Sequence, residues 1–168
     1  MPGGIVTAQM PAPAAEVFAL LHDYDRRLEW DTLLKEARLT QGHTRAQKGA
    51  TSLCVGKPLF GLIGMETRYI AFREPDMAAV VLINRPPFFD AFSASIKHRD
   101  NAHGSTAEYT FQFRARPACL RRLLERVMLR ALKRETAKRL RALSDHLEKQ
   151  AAQNEAGNKH GAGPGSSA

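Results

Sequence analysis

Several absences narrow what this 168-residue chain can be. It has only two cysteines, Cys54 and Cys119, with no Cys-x-x-Cys partner. Neither a disulfide scaffold nor a redox motif is expected, and both read as reduced, partly buried thiols. The longest apolar run, Ala78-Ala79-Val80-Val81-Leu82-Ile83, falls far short of the roughly 20 residues that span a bilayer. The N-terminal stretch lacks a basic segment followed by a long apolar one, so an unprocessed, cytoplasmic protein is expected. Six histidines are scattered without His-x-x-x-His or His-Glu-x-x-His spacing, and no metal site is expected. Gly-x-Ser-x-Gly, a P-loop and Gly-x-Gly-x-x-Gly are all missing, and no cofactor is expected. With 43% hydrophobic and 25% charged residues, the composition is that of a globular domain rather than a disordered chain.

The formal net charge of +8 is unevenly placed. Residues 1–116 carry 14 Lys/Arg against 12 Asp/Glu, whereas residues 117–149 carry 10 against 4. The excess therefore belongs to one C-terminal segment. There, Leu120, Leu124, Val127, Met128, Ala131, Leu132, Leu140, Leu143 and Leu147 recur at three- and four-residue steps. Arg122, Arg126, Arg130, Arg134 and Lys138 recur at four-residue steps, offset by about 200° of helical rotation from Leu124, Met128 and Leu132. The spacing predicts one long amphipathic helix over 117–149, about 50 Å long, with an arginine ridge facing solvent. No aromatics interleave with that ridge, so no nucleic acid is expected as a partner. The ridge reads either as a solvated face or as a surface for transient contact with an anionic membrane. Residues 150–168 hold no large apolar side chain and are expected to form a disordered tail.

Upstream, the period changes to two. Ala107, Tyr109, Phe111, Phe113 and Ala115 alternate with polar residues, as do Phe92, Ala94, Ile96 and His98. Both read as half-buried strands joined by a hairpin turn at 100–104. Further strands are expected at 78–84, 64–73, 50–57, 33–40 and 4–10, with short helices near 13–22 and 25–31. Short turns between neighbouring strands predict an antiparallel sheet. The expected fold class is α+β: a seven-stranded curved antiparallel sheet wrapped around the long C-terminal helix, with two short helices between strands 1 and 2. A helix 10–12 Å across cannot fill the hollow of so wide a sheet, so either bulky side chains fill the gap or a cavity remains.

The stretch from Tyr24 to Ala37, with Arg27, Trp30 and Asp31 in an Arg-x-x-Trp-Asp pattern, resembles START domains at the handover from short helices to the second strand. Together with the element order over 4–148, it is similar to the START/Bet v 1-like (SRPBCC) superfamily, in its bacterial polyketide cyclase/dehydrase and lipid-transport-like branch. The resemblance implies a helix-grip fold over 1–149 that holds a hydrophobic small molecule, such as a lipid, fatty acid, sterol-like compound or polyketide. Most such proteins are carriers or sensors; a minority are cyclases or other enzymes.

On that basis Trp30 reads as a pocket wall or a packing anchor, and Asp31 as a structural partner of Arg27 or Lys35. Tyr69, Phe92, Ile96, Tyr109, Phe111 and Phe113 are expected on the concave face, with Leu124, Met128 and Leu132 opposite them on the helix. Arg68, sharing a strand face with Glu66, reads either as an inward charge that orients a ligand or as part of a solvated outer face. His98 reads as a ligand contact or a rim histidine. For a cyclase, Arg68, Tyr69, His98 and Tyr109 would have to converge. The loop Asn84-Arg85-Pro86-Pro87-Phe88-Phe89-Asp90 corresponds to the gate loop of START domains. Phe88 and Phe89 there read as a hydrophobic latch or as packing on the helix. Residues 57–63 form a second apolar loop that could flank the same entrance.

Overall fold

The computed structural model describes residues 1–57 and 63–161, with side chains to residue 156. The apolar loop expected at 57–63 lies almost wholly outside the described residues. Strand β1 (Gly3–Met10) leads into helices α1 (Ala14–His22) and α2 (Arg27–Trp30). Six strands follow: β2 (Leu34–Thr40), β3 (Thr51–Gly56), β4 (Gly64–Arg73), β5 (Met77–Leu82), β6 (Phe89–Asn101) and β7 (Gly104–Ala115). A 3-10 turn over Ala118–Leu120 opens helix α3 (Arg121–Gly161). The order is the one expected from the sequence, and the architecture is a helix-grip α+β fold.

All seven strands form one antiparallel sheet in the order β1-β7-β6-β5-β4-β3-β2. Alternation sets the register, because a one-residue slip would turn every inward side chain to solvent. Ala94 lies opposite Phe111, Ile96 opposite Tyr109 and His98 opposite Ala107. A bulge between Tyr69 and Ala71 breaks the alternation of β4. It leaves Ile70 on the outer face at 48% exposure and brings Phe72, rather than Ala71, against the core.

Helix α3 crosses the concave side close to β1. A Cβ at Gly4 would stand 2.8 Å from Phe111 Cζ and 2.7 Å from Cε of the flexible Lys133 side chain, so the Phe111 ring lies this close to β1 because position 4 carries no side chain. Two apolar clusters hold the layers together. One joins Val17, Phe18 and Leu21 of α1 to Leu140, Leu143 and Leu147 of α3. The other packs Phe89, Phe111 and Phe113 against Met128, Leu129 and Leu132.

Two expectations for the C-terminal segment are corrected. The helix does not stop at 149: it runs to Gly161, 41 residues or about 61 Å, through the first part of the segment expected as a disordered tail. Ala151, Ala152 and Ala156 are strong helix formers, and extending a formed helix needs no new nucleus. Residues 162–168 lie outside the described residues. In addition, Leu120 and Val127 belong to the apolar series yet are 52% and 59% exposed, as is Leu123 at 64%. Over the first turns of α3 only the side bearing Leu124 and Met128 is covered. The basic ridge of Arg122, Arg126, Arg130, Arg134 and Lys138 is exposed along its length.

Candidate functional site

Sheet and helix do not meet everywhere. Between them lie a groove of about 410 Å³ and, deeper in, a cavity of about 140 Å³. Cys54, Met65 and Arg139 wall both spaces. The groove is bounded by Leu33, Leu34, Ile63, Phe88 and Phe89 on one side and by Leu124, Met128, Ala131 and Leu132 on the other. Its lining is almost wholly apolar, the surface that a hydrophobic ligand would cover.

The loop over the groove is pinned by polar bonds rather than by its prolines alone. The Asn84 side chain accepts a bond from the Glu66 amide at 3.1 Å and donates to the Gly64 carbonyl at 2.9 Å. Arg116 Nη2 donates to the Arg85 and Pro86 carbonyls at 2.6 and 3.0 Å. The two phenylalanines split the roles considered for them. Phe89 is buried, with its ring centroid 6.0 Å from Phe92 and 6.3 Å from Phe113. Phe88 adopts φ 68°, a left-handed conformation costly for a bulky side chain, and stands 51% exposed at the groove wall.

The inner cavity is more polar. His22 Nδ1 lies 2.9 Å from the Tyr69 hydroxyl, which lies 3.1 Å from the Tyr24 hydroxyl. His22 reaches the cavity because the last turn of α1 places it one turn after Phe18, whose ring centroid is 4.4 Å away. Burial, with the nearby charge of Arg27 and the proximity of His98, lowers the His22 pKa to about 3. Burial raises the Tyr69 hydroxyl well above its usual value, and Tyr109 and Cys54 are also pushed up mainly by burial. At neutral pH these four groups are uncharged.

The fixed charges sit at the cavity floor. Asp31 is fully buried, and its Oδ2 accepts from Arg27 Nε at 3.1 Å and from Arg139 Nε at 3.0 Å and Nη2 at 2.8 Å. Burial alone would raise the Asp31 pKa, but Arg139 and Arg27 outweigh it and hold the carboxyl below its ordinary value. Burial likewise disfavours the charge on Arg139, and the Asp31 carboxylate foremost offsets it. Arg27 also donates from Nη1 to the Leu21 carbonyl at 2.6 Å, and its guanidinium lies 4.6 Å from the Trp30 ring centroid.

Of the side chains singled out from the sequence, Tyr69, Phe92, Ile96 and Tyr109 line the inner cavity, and Phe88, Leu124, Met128 and Leu132 line the groove. The others do not meet there. Arg68 is exposed on the outer face, the cheaper place for an unpaired charge. His98 is 4% exposed in apolar core, 5.6 Å from the Phe18 ring centroid, because α1 covers that end of the sheet. Phe111 and Phe113 are buried in solid packing and line neither space. Trp30 lines neither the groove nor the cavity and borders a separate void of about 30 Å³. The four-residue cyclase constellation therefore does not converge.

His22, Tyr24, Cys54 and Arg139 were not singled out from the sequence. Arg139 did leave a signal there: it falls in the inward series Leu132, Thr136, Leu143 at helical steps, where a charge needs a partner. Among the described residues, no cluster of three or more His, Cys, Asp or Glu side chains is placed to hold a metal ion. Among the same residues, no helix is long and apolar enough to cross a membrane.

Comparison with known proteins agrees with this fold. The family model "Polyketide cyclase / dehydrase and lipid transport" matches residues 5–148. The Zhui aromatase/cyclase of Streptomyces sp. R1128 superposes with a TM-score of 0.76 at 15% identity, over 89% of this chain and 95% of that one. A START superfamily protein of Mycobacterium smegmatis gives 0.70 at 11% identity, over 88% and 98%. A protein of Thermus thermophilus gives 0.75 at 12%, over 89% and 99%. At such identities these likenesses speak for the fold alone. No curated protein matches the sequence.

Proposed function

The chain belongs to the polyketide cyclase/dehydrase and lipid transport family, and from that premise we propose that it carries or senses a hydrophobic small molecule. The observation that supports this reading best is the apolar groove of about 410 Å³ under α3, with a smaller and more polar cavity beside it. An apolar ligand body lying there would gain about 25 cal/mol for each Å² taken from water. Polar groups at the inner end would orient it.

A cyclase acting on a polyketide-like substrate is the second reading, favoured by the hydrogen-bonded row of His22, Tyr69 and Tyr24 beside the cavity. Against it stands acid–base matching. A histidine whose pKa is about 3 is a weak base at neutral pH, and a tyrosine raised above its normal value is a weak acid. Binding without chemistry fits these groups better.

Loading would occur at an anionic membrane surface. The support is local: exposed Leu120, Leu123, Val127 and Phe88 lie near the groove, beside the exposed basic ridge. Apolar side chains flanked by arginines suit the boundary between acidic headgroups and acyl chains.

The direct test is native mass spectrometry of protein expressed in a lipid-rich host, with a thermal-shift panel of fatty acids, sterols and aromatic polyketides. A co-purifying apolar ligand, or stabilisation by one class, is the expected outcome. A ligand-free protein that no compound stabilises would remove the carrier reading.

A further inference from the structure

The floor of the inner cavity carries an uneven charge. Two guanidinium groups, Arg27 and Arg139, share one carboxylate, Asp31, leaving one positive charge in excess. The other carboxylate on the groove wall, Glu135, pairs with Lys138 at 3.0 Å and does not change that balance. His22, Cys54 and the three tyrosines are neutral.

The pattern of satisfied and unsatisfied atoms points the same way. Both contacts of Arg139 go to Asp31 Oδ2, through Nε and Nη2, and no described residue accepts a bond from its Nη1. The Arg139 side chain keeps 29% of its surface open, and it borders both spaces. The Tyr109 hydroxyl also has no hydrogen-bond partner among the described residues, and Tyr109 lines the same inner cavity. The two carboxylate oxygens without a partner, Asp31 Oδ1 and Glu135 Oε2, are enclosed. The cavity floor thus offers open donors and a surplus positive charge, below a groove whose lining is almost wholly apolar.

We propose that the ligand is an amphipathic carboxylic acid whose carboxylate seats between Arg139 Nη1 and the Tyr109 hydroxyl, with its apolar tail along the groove. This rests on the hydrophobic-ligand reading above and narrows it to a class. A carboxylate there balances the charge and accepts charge-assisted bonds from donors otherwise left empty. A cationic head would meet two arginines, and a neutral one would leave the excess charge uncompensated. From Arg139 to Leu124 the helix runs about 22 Å, room for an extended long-chain tail.

Delipidated full-length protein should be titrated calorimetrically at pH 8, below micelle-forming concentrations, with tetradecanoate, 1-tetradecanol and methyl tetradecanoate. The acid should bind at least tenfold more tightly than either neutral analogue. Tyr109→Phe and Arg139→Lys, which keep the packing and the charge on Asp31's partner, should each narrow that ratio severalfold. Arg139→Gln should abolish it if the variant folds, as judged by its circular dichroism. Equal binding of acid and alcohol overturns the acidic-head assignment while leaving the carrier reading intact. A preference that survives in both Tyr109→Phe and Arg139→Lys overturns it too, since the acid is then recognised elsewhere. Failure of all three probes to bind removes the long-chain acid and counts against the carrier reading as well.

Discussion

Asp31 and Arg139, 108 residues apart in sequence, meet through two contacts of 2.8 and 3.0 Å to one carboxylate oxygen. The pair fastens the handover after α2 to the middle of α3, so the wall of the inner cavity and its lid share one electrostatic tie. Removing one partner of a buried pair costs far more than the pair contributes, because the survivor stays charged in apolar surroundings.

Asp31→Asn should therefore destabilise the fold by about 3–5 kcal/mol. Urea unfolding followed by tryptophan fluorescence reports it, since Trp30 is the sole tryptophan and stacks beside Arg27. A loss below about 1 kcal/mol would mean that the charges are solvated and the tie carries no weight.

Phe88 and Phe113 should separate binding from folding. Phe88→Ala removes a half-exposed ring from the groove wall, so hydrophobic-ligand affinity should fall roughly tenfold with little loss of stability. Phe113→Ala empties packed core that borders neither the groove nor the cavity and should cost about 3–5 kcal/mol. Paired melting curves and ligand titrations distinguish the two, and the reverse pattern would relocate the site.

Arg68→Ala should leave both stability and ligand affinity unchanged within about 0.5 kcal/mol, because its side chain faces solvent. A large drop in affinity would place it back at the ligand, on an inward-turned β4.

Acid should destabilise the protein earlier than carboxylate titration alone would. His22 and His98 are held at about 3 and 4 in the folded chain, against 6.5 when unfolded. Between pH 6.5 and about 4 the unfolded chain binds protons that the native chain refuses, so stability is full above that window and falls as pH drops through it. Each histidine adds a slope of about 1.4 kcal/mol per pH unit. Asp31, held below its ordinary 3.8, adds a further loss in stronger acid. Urea midpoints from pH 7.5 to 4.5 measure the slope, and His98→Leu should remove about half of it. An unchanged slope in that variant would show that His98 titrates normally.

Arg126→Glu with Arg130→Glu should weaken binding to phosphatidylglycerol vesicles at least tenfold, at about 1 kcal/mol for each basic residue lost. Affinity for a soluble hydrophobic ligand should stay the same. Vesicle flotation at two salt concentrations checks this, and equal flotation of variant and parent would leave the ridge a solvated face.

Strands β6 and β7 were readable because each carries its own alternation. The row Ala107, Tyr109, Phe111, Phe113, Ala115 states which face is buried without reference to any other segment. Half of the candidate site was readable for the same reason: Tyr69, Phe92, Ile96 and Tyr109 all sit on inward phases. Which inward residues border empty space is a different matter. Phe111 and Tyr109 share one phase, yet Phe111 is enclosed by Met128 and Leu132 while Tyr109 opens on the cavity. That difference depends on how α3 crosses the sheet, which no strand's own alternation states. Arg139 was hidden by company, one position after the basic ridge ends at Lys138. Asp31, the carboxylate that accounts for it, stands at the other end of the chain.

The pairing of β1 with β7, Gly3 against Gln112 through Met10 against Ser105, also governs how the molecule is made. At ribosomal rates of about 5–20 residues per second, the first strand waits on the order of 5–20 s for its neighbour to be synthesised. During that interval it is an unpaired edge beside a nascent apolar surface, the form in which chains most readily stick to one another. A non-local closure of this kind also makes for slow folding. Yield in an expression host should therefore respond more to chaperone supply and translation speed than to the thermodynamic strength of the finished fold.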